Sequence, residues 1–285
     1  MGVGKTEVRW PVSSPDERDD RIRLRNTFDA SADRYQRARP EYPSALFDHL
    51  VEVSRLQPGD HLLEIGCATG RATIPLAERG FAITGLELGP LLAAAARRNL
   101  DRFEKVVVVE VDFEQWTAPN DAPFDLVLAA TSWHWIDPAV RYRKAWEVLR
   151  PRGHLAVWRE NHVFPTGGDP FFREIQEVYE EIGEGLPADA VWPTPEHLDD
   201  LEDQREEIEA SGLFEDVHVR RFDWETTYDA SGYIDLLDTF SGHIAMEPWQ
   251  RDRLYTEIRQ RLARRPDGRL RRHSAAVLHV ARRRE

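Results

Sequence analysis

The spacing of apolar and polar positions changes several times along this chain, and each change marks an element. His61 to Ile65 is nearly all apolar, the length of a buried strand. A loop of small residues, Gly66, Ala68 and Gly70, follows, and then a helical pattern over Arg71 to Arg79. Ala82 to Glu87 reads as a second strand and Gly89 to Leu100 as an Ala-rich helix. Val106 to Val109, Phe124 to Ala130 and Gly153 to Trp158 read as further buried strands, with a helix over Pro138 to Leu149. Strands alternating with helices predict a parallel sheet covered on both faces.

The pattern differs on either side of this core. Residues 1–20 are polar and irregular, which predicts a flexible arm. Gly2 to Thr6 resembles the end of a phosphate-binding loop, but the earlier Gly and the preceding strand that such a loop needs are missing. Arg21 to Arg39 has helical spacing; Pro40 ends it and Pro43 opens the next helix, Ser44 to Ser54. Beyond Trp158 the alternation breaks. Arg159 to Gly168 reads as a loop and Pro170 to Ile182 as an amphipathic helix. Glu196 to Ala210 reads as an acidic helix with eight carboxylates and one Arg, hence a solvated face. Val217 to Trp224 alternates as a strand, Ser231 to Phe240 and Pro248 to Arg264 are helical, and Ser274 to Ala281 is a last strand.

Composition narrows the reading. A chain of 285 residues with nine Trp and twelve Phe can bury a sizeable core. The net charge of −13 argues against a general polyanion binder, although ten Arg fall after residue 258. Those Arg read as a helix C-terminus and the outer positions of a strand. The single cysteine, Cys67, excludes an intrachain disulfide and fits a cytoplasmic location. No apolar run is long enough for a bilayer span, and no signal-peptide pattern opens the chain.

The candidate chemistry gathers at strand ends. A strand, a small-residue turn and a helix form a cradle in which backbone approaches a ligand closely and helix N–H groups face an anion. Glu64 sits at the carboxyl end of the first strand, where open α/β sheets bind ligands. Glu87 ends the second strand; an acid there accepts from two ribose hydroxyls or caps the following helix. Asp112 and Phe113 follow the third strand, with an acid for an amino group and a ring that stacks or packs. Ala129 to Asp137 follows the fourth and holds Trp133, His134 and Trp135. His134 is the candidate general base, against a structural role between two rings.

The Glu64–Gly70 loop resembles motif I of class I S-adenosylmethionine-dependent methyltransferases, acid-x-Gly-x-Gly-x-Gly, with Ala68 in place of the middle Gly. Tyr35-x-x-x-Arg39-Pro40-x-Tyr42-Pro43 and the Trp-His-Trp-Ile-Asp137 loop are similar to segments of the trans-aconitate methyltransferase-like, or type 11, group. Leu149-Arg-Pro-Arg-Gly153 resembles that group's Leu-x-Pro-Gly-Gly turn, with Arg152 at a Gly position. The resemblance implies an α/β, Rossmann-like, doubly wound sheet of seven strands, mostly parallel with one antiparallel strand, plus helical caps. It implies one domain over 21–285, with a cofactor core at about 41–158 and caps at about 159–212 and 225–268. It implies S-adenosyl-L-methionine held by Tyr35, Arg39, Glu64, Gly66, Cys67, Ala68, Gly70, Glu87, Leu88, Asp112, Phe113 and Thr131. Trp133, His134, Trp135, Asn161 and His162 would then line the acceptor pocket, with no metal. The expected reaction moves a methyl group to a small organic acceptor by in-line displacement, in a monomer or homodimer without nucleic-acid or membrane partners. A nicotinamide-dependent oxidoreductase remains open, although the Gly66–Gly70 spacing does not fit G-x-G-x-x-G. A non-catalytic S-adenosylmethionine-binding protein is the other alternative.

Overall fold

The computed structural model describes residues 38–119, 123–185 and 198–285. The expected N-terminal arm, most of the Arg21–Arg39 helix and Tyr35 lie outside the described residues. The alternating half follows the sequence closely. Helix α1 is Ser44–Ser54, β1 His61–Ile65, α2 Thr73–Glu78, β2 Ala82–Glu87, α3 Pro90–Leu100, β3 Val106–Glu110, β4 Phe124–Ala130 and α4 Pro138–Val148. Strand β5, Leu149–Trp158, starts four residues earlier than its apolar run, because the pairing with β4 shifts between Phe124 and Leu126 and absorbs Arg150–Gly153 as a bulge. Arg152 takes a left-handed φ of 64° there, the conformation that a Gly at that position accepts without strain.

The sheet has eight described strands, one more than expected. The extra one is β6, Glu160–Val163, which prolongs β5 beyond Arg159. The run of Asn161 and His162 expected as loop is therefore strand. Both β5 and β6 pair antiparallel with the same edge of β8, Arg269–Arg283, while β7, Phe214–Asp229, covers its other edge. Strands β3, β2, β1, β4 and β5 run parallel in that spatial order, and β8 is antiparallel to β5. Strands β7 and β8 are far longer than their alternating cores suggest, at 16 and 15 residues. Their mutual ladder needs no apolar face along its whole length, so the pattern understates it.

The cap also differs from the periodic reading. Pro170–Ile182 is two short helices, α5 Phe171–Glu174 and α6 Gln176–Glu181, broken at Ile175. Among the described residues of the expected Glu196–Ala210 helix, only α7, Arg205–Ala210, is α-helical, after a 3₁₀ turn at Leu198–Asp200. It is not simply a solvated face. Ile208 is buried, Glu207 pairs with the buried Arg141, and Asp203 meets the buried His279 at 3.0 Å. Helices α8 Ala230–Leu237, α9 Ser241–Ala245 and α10 Pro248–Ala263 complete the cap.

The apolar clusters show how these pieces fit. One lies on the α4 side of the sheet, around Leu63, Phe113, Val127, Trp133, Tyr142 and Phe214. A second lies on the α1 side, around Leu46, Phe47, Leu62, Trp158 and Leu278. A third holds the cap together, around Phe171, Phe172, Tyr228, Tyr233, Leu254 and Ile258. The cap is fastened to the core beside the Gly66 loop. Arg39 donates to the Thr239 hydroxyl at 2.8 Å and to its carbonyl at 3.0 Å, and its guanidinium lies 4.3 Å from the Phe240 ring centroid.

Candidate active site

The loop after β1 is pinned from β2 and from the end of β4. The Gly66 and Cys67 N–H groups both donate to the Leu86 carbonyl, at 2.8 and 3.1 Å. The Ser132 hydroxyl, just beyond β4, donates to the Ile65 carbonyl. Gly66, at φ 71°, is so close to Ser132 that a Cβ there would lie 2.8 Å from the Ser132 Cβ. Gly70, at φ 94°, faces Leu100. Ala68 also adopts left-handed backbone, φ 48°, although it carries a Cβ. The position is thus built for the Gly that the motif usually has.

Glu64 lies beneath this loop. It is 1% exposed and accepts from the Thr73 hydroxyl at 2.6 Å. Burial pushes its carboxyl up to about 7; the Thr73 hydrogen bond opposes this and the nearby Glu87 adds to it. Cys67 is buried against Gly85, and burial pushes its thiol well above the usual range. It is a packing residue in this environment, far from the exposed thiolate that reactive cysteines need. Glu87 accepts from the Ala68 N–H at 2.8 Å and the Gly89 N–H at 2.9 Å. It therefore organises the loop and the turn that leads into α3. Leu88 lies next to it, partly buried.

Asp112 follows β3 directly, because the Val111 N–H bonds the Glu87 carbonyl at 2.8 Å. It caps the next turn through the Glu114 N–H at 3.0 Å. Phe113 points into the core on the α4 side, with the Lys144 ammonium 5.4 Å from its ring centroid. Thr131, at φ 59°, bonds the Tyr42 hydroxyl at 2.9 Å and accepts from the Glu160 N–H at 3.1 Å.

The three aromatics after β4 part company. Trp133 is 3% exposed and packs on Tyr142 at 5.3 Å, with Arg141 against both rings. His134 and Trp135 are partly buried, with ring centroids 4.7 Å apart. Burial, with Arg159 and Arg141 nearby, pushes His134 down to about 3. The imidazole is neutral at working pH, which a base requires, but it is a weak one.

Asn161 and His162 are not brought together, since neighbours on a strand face opposite ways. Asn161 sits opposite Ala275 and lines a crevice with Glu202, Gln204 and His279. His162 faces the cap, 4.5 Å from Phe172 and 4.1 Å from Phe164 between ring centroids. On its face the structure reveals a group that sequence spacing did not suggest. Glu160 accepts from Arg272 Nη1 at 3.0 Å and from the Ser274 hydroxyl at 3.1 Å. Arg272 lies 112 residues further along the chain, and strand pairing alone makes them neighbours. Arg71 is a second omission. It follows Gly70 directly, which was the available signal.

The cradle fits an anionic, nucleoside-bearing ligand. Arg71 Nη2 and the Thr69 hydroxyl are buried beside the loop without a partner among the described residues. Such donors and hydroxyls suit an anionic end group.

Comparison with known proteins places this arrangement. Residues 63–157 match the family model described as a methyltransferase domain. An uncharacterised methyltransferase of Mycobacterium tuberculosis is 26% identical over 240 residues, covering 84% of this chain and 87% of that protein. The 27-O-demethylrifamycin SV methyltransferase of Amycolatopsis mediterranei is 34% identical over 153 residues, covering 52% of this chain and 55% of the relative. Among solved structures, a candidate type II methyltransferase from Anaeromyxobacter dehalogenans has a TM-score of 0.59 at 21% identity, over 86% of this chain and 97% of that one. The chain is a class I S-adenosylmethionine-dependent methyltransferase, with S-adenosyl-L-methionine as its cofactor.

Proposed function

We propose that this methyltransferase acts on a small organic acceptor. The observation that carries this reading is the roof over the strand ends. The cap cluster around Phe171, Phe172, Tyr228 and Tyr233 is a packed aromatic core, tied through Thr239 to Arg39, whose carbonyl accepts from Arg71 beside the Gly66–Gly70 loop. Aromatic residues in a cap of this kind suit the wall of a small-molecule pocket. The rifamycin relative, whose name carries a small-molecule acceptor, agrees with it. The acidic chain gives a nucleic-acid acceptor little electrostatic support.

Bound cofactor supplies a sulfonium methyl group, which a nucleophile takes in line. Gly66, Ala68 and Gly70 would line the cofactor, Glu87 would accept from the ribose, and Asp112 with Leu88 would border the adenine. Arg71 and Thr69 would meet the amino-acid end. Glu64 and Cys67 support the loop from below. The remaining work of the protein is alignment and exclusion of water. His134 and Trp135 would form the rim of the acceptor site, with Trp133 as their buried footing.

The test is transfer of labelled methyl from S-adenosylmethionine into separated metabolite, protein, DNA and RNA fractions. Label in the metabolite fraction is expected; label confined to a macromolecular fraction would overturn the reading. Glu87→Ala should weaken cofactor binding by about 1.5–3 kcal/mol through lost charge-assisted hydrogen bonds, measured by calorimetry. Unchanged affinity would remove Glu87 from the cofactor site.

A further inference from the structure

The Glu160–Arg272–Ser274 group has no part in the ladder between β6 and β8, whose backbone pairing is complete without it. Both charged side chains are almost fully buried, 6% and 5% exposed. A buried ion pair is a weak source of stability, because desolvation offsets most of the attraction. The strand face it occupies continues from Trp158, Ala276 and Leu278, which are apolar and buried. The pair therefore stands where apolar packing would serve stability as well.

Its geometry is that of a presented guanidinium. Arg272 uses only Nη1 for Glu160 and Ser274. Nε and Nη2 make no hydrogen bond among the described residues, which leaves one edge of the planar fork uncommitted. The carboxylate and hydroxyl fix the orientation of that fork. Its charge acts on two cap aromatics, Tyr228 and Tyr233, whose ring centroids are 6.3 Å apart, with Phe172 at 5.9 Å from Tyr233. The Glu160 N–H bonds Thr131, one residue before the Ser132 that holds the cofactor loop. The local charge balance is positive in an acidic protein. The charged groups acting on the Tyr228 hydroxyl are Arg272, Arg71 and Arg39 against the one acid Glu160.

We propose that Arg272 anchors a carboxylate carried by the acceptor, with the aromatic cap holding the acceptor's apolar body. This makes Arg272 a specificity-determining residue and Glu160 with Ser274 its positioning residues. The inference rests on the small-acceptor reading above and adds the chemical class of the molecule.

The experiment measures binding to protein saturated with S-adenosylhomocysteine, using 3-phenylpropionate and its neutral counterpart 3-phenylpropanamide as probes in calorimetry. The parent should bind the carboxylate at least tenfold more tightly than the amide. Arg272→Gln should abolish that preference, with S-adenosylhomocysteine affinity within about twofold of the parent. Glu160→Gln should keep or increase it, because the competing negative charge is gone. If Arg272→Gln fails to fold, the double variant Arg272→Met with Glu160→Leu removes the pair as an apolar replacement and should also lose the preference. Equal binding of the two probes to the parent, binding of neither, or a preference that survives loss of Arg272 would overturn the assignment. A loss of S-adenosylhomocysteine affinity in Arg272→Gln with the carboxylate preference intact would overturn it in favour of a cofactor role. Transfer of label only to macromolecules, by contrast, would remove the small-acceptor reading itself.

Discussion

Single residues in the loop after β1 carry strain. Ala68 holds a left-handed φ of 48°, which costs an L-residue about 1–2 kcal/mol. Ala68→Gly should therefore leave the melting temperature unchanged or slightly raised, since strain relief offsets Gly's chain entropy. Ala93→Gly inside α3 should instead destabilise by about 1 kcal/mol. Equal losses in thermal unfolding would show that the loop is unstrained. Glu64 gives a pH signature. Its folded value of about 7 exceeds the ordinary glutamate value of 4.5, so the folded state holds a proton that the unfolded state releases between those limits. Stability should fall as pH rises from about 4.5 to 7, and Glu64→Gln should flatten that fall in thermal melts. An identical pH profile in parent and variant would refute the raised value. For His134, a value of about 3 means that turnover should not follow a His-like titration between pH 5 and 8. His134→Gln should then change turnover by less than tenfold, whereas a hundredfold loss, or a parent rate rising through pH 6.5, would restore the base.

At the level of elements, the decisive contact is the tie between the segment before α1 and the turn after α8. Arg39 makes two hydrogen bonds to Thr239 and lies on Phe240, and Arg71 donates to the Arg39 carbonyl. The Tyr228 hydroxyl donates to the Ala38 carbonyl at 3.2 Å. Core, cap and the loop after β1 thus share one small set of bonds. Arg39→Gln should loosen the cap by about 1–3 kcal/mol, the worth of charged hydrogen bonds partly exposed to water. Hydrogen exchange should show faster opening of Ala230–Leu237, with the β1–β4 ladder unaffected. Unchanged exchange in that helix would mean that the apolar cluster alone holds the cap. A second tie works on the other face, where Arg141 joins Trp133, Tyr142 and Glu207.

For the whole molecule, the charge of −13 makes a sharp statement about partners. Fluorescence titration with duplex or single-stranded DNA at physiological salt should show no tight binding, and no steep dependence on salt. Tight, salt-sensitive binding would assign the late Arg residues to nucleic acid. No described helix is long and apolar enough to cross a membrane.

The sequence by itself determined the alternating half. His61–Ile65, Ala82–Glu87 and Phe124–Ala130 appear with the expected bounds, because a strand buried on both faces writes its own apolar run. Gly66, Gly70, Glu87 and Asp112 were legible for a related reason: strand ends and tight turns restrict which residues fit. The Ala68 departure was legible too, and its backbone confirms that a Gly site is occupied by an alanine. Only tertiary structure decided the rest. The broken Pro170–Ile182 helix and the docked acidic segment depend on packing partners remote in sequence. The division of Asn161 from His162 depends on which face of the sheet each meets, and that of Trp133 from His134 on the 3₁₀ turn that carries both. Glu160 and Arg272 are 112 residues apart, and no local period links them. They meet because β6 and β8 pair in a particular register, and register is a property of two strands together.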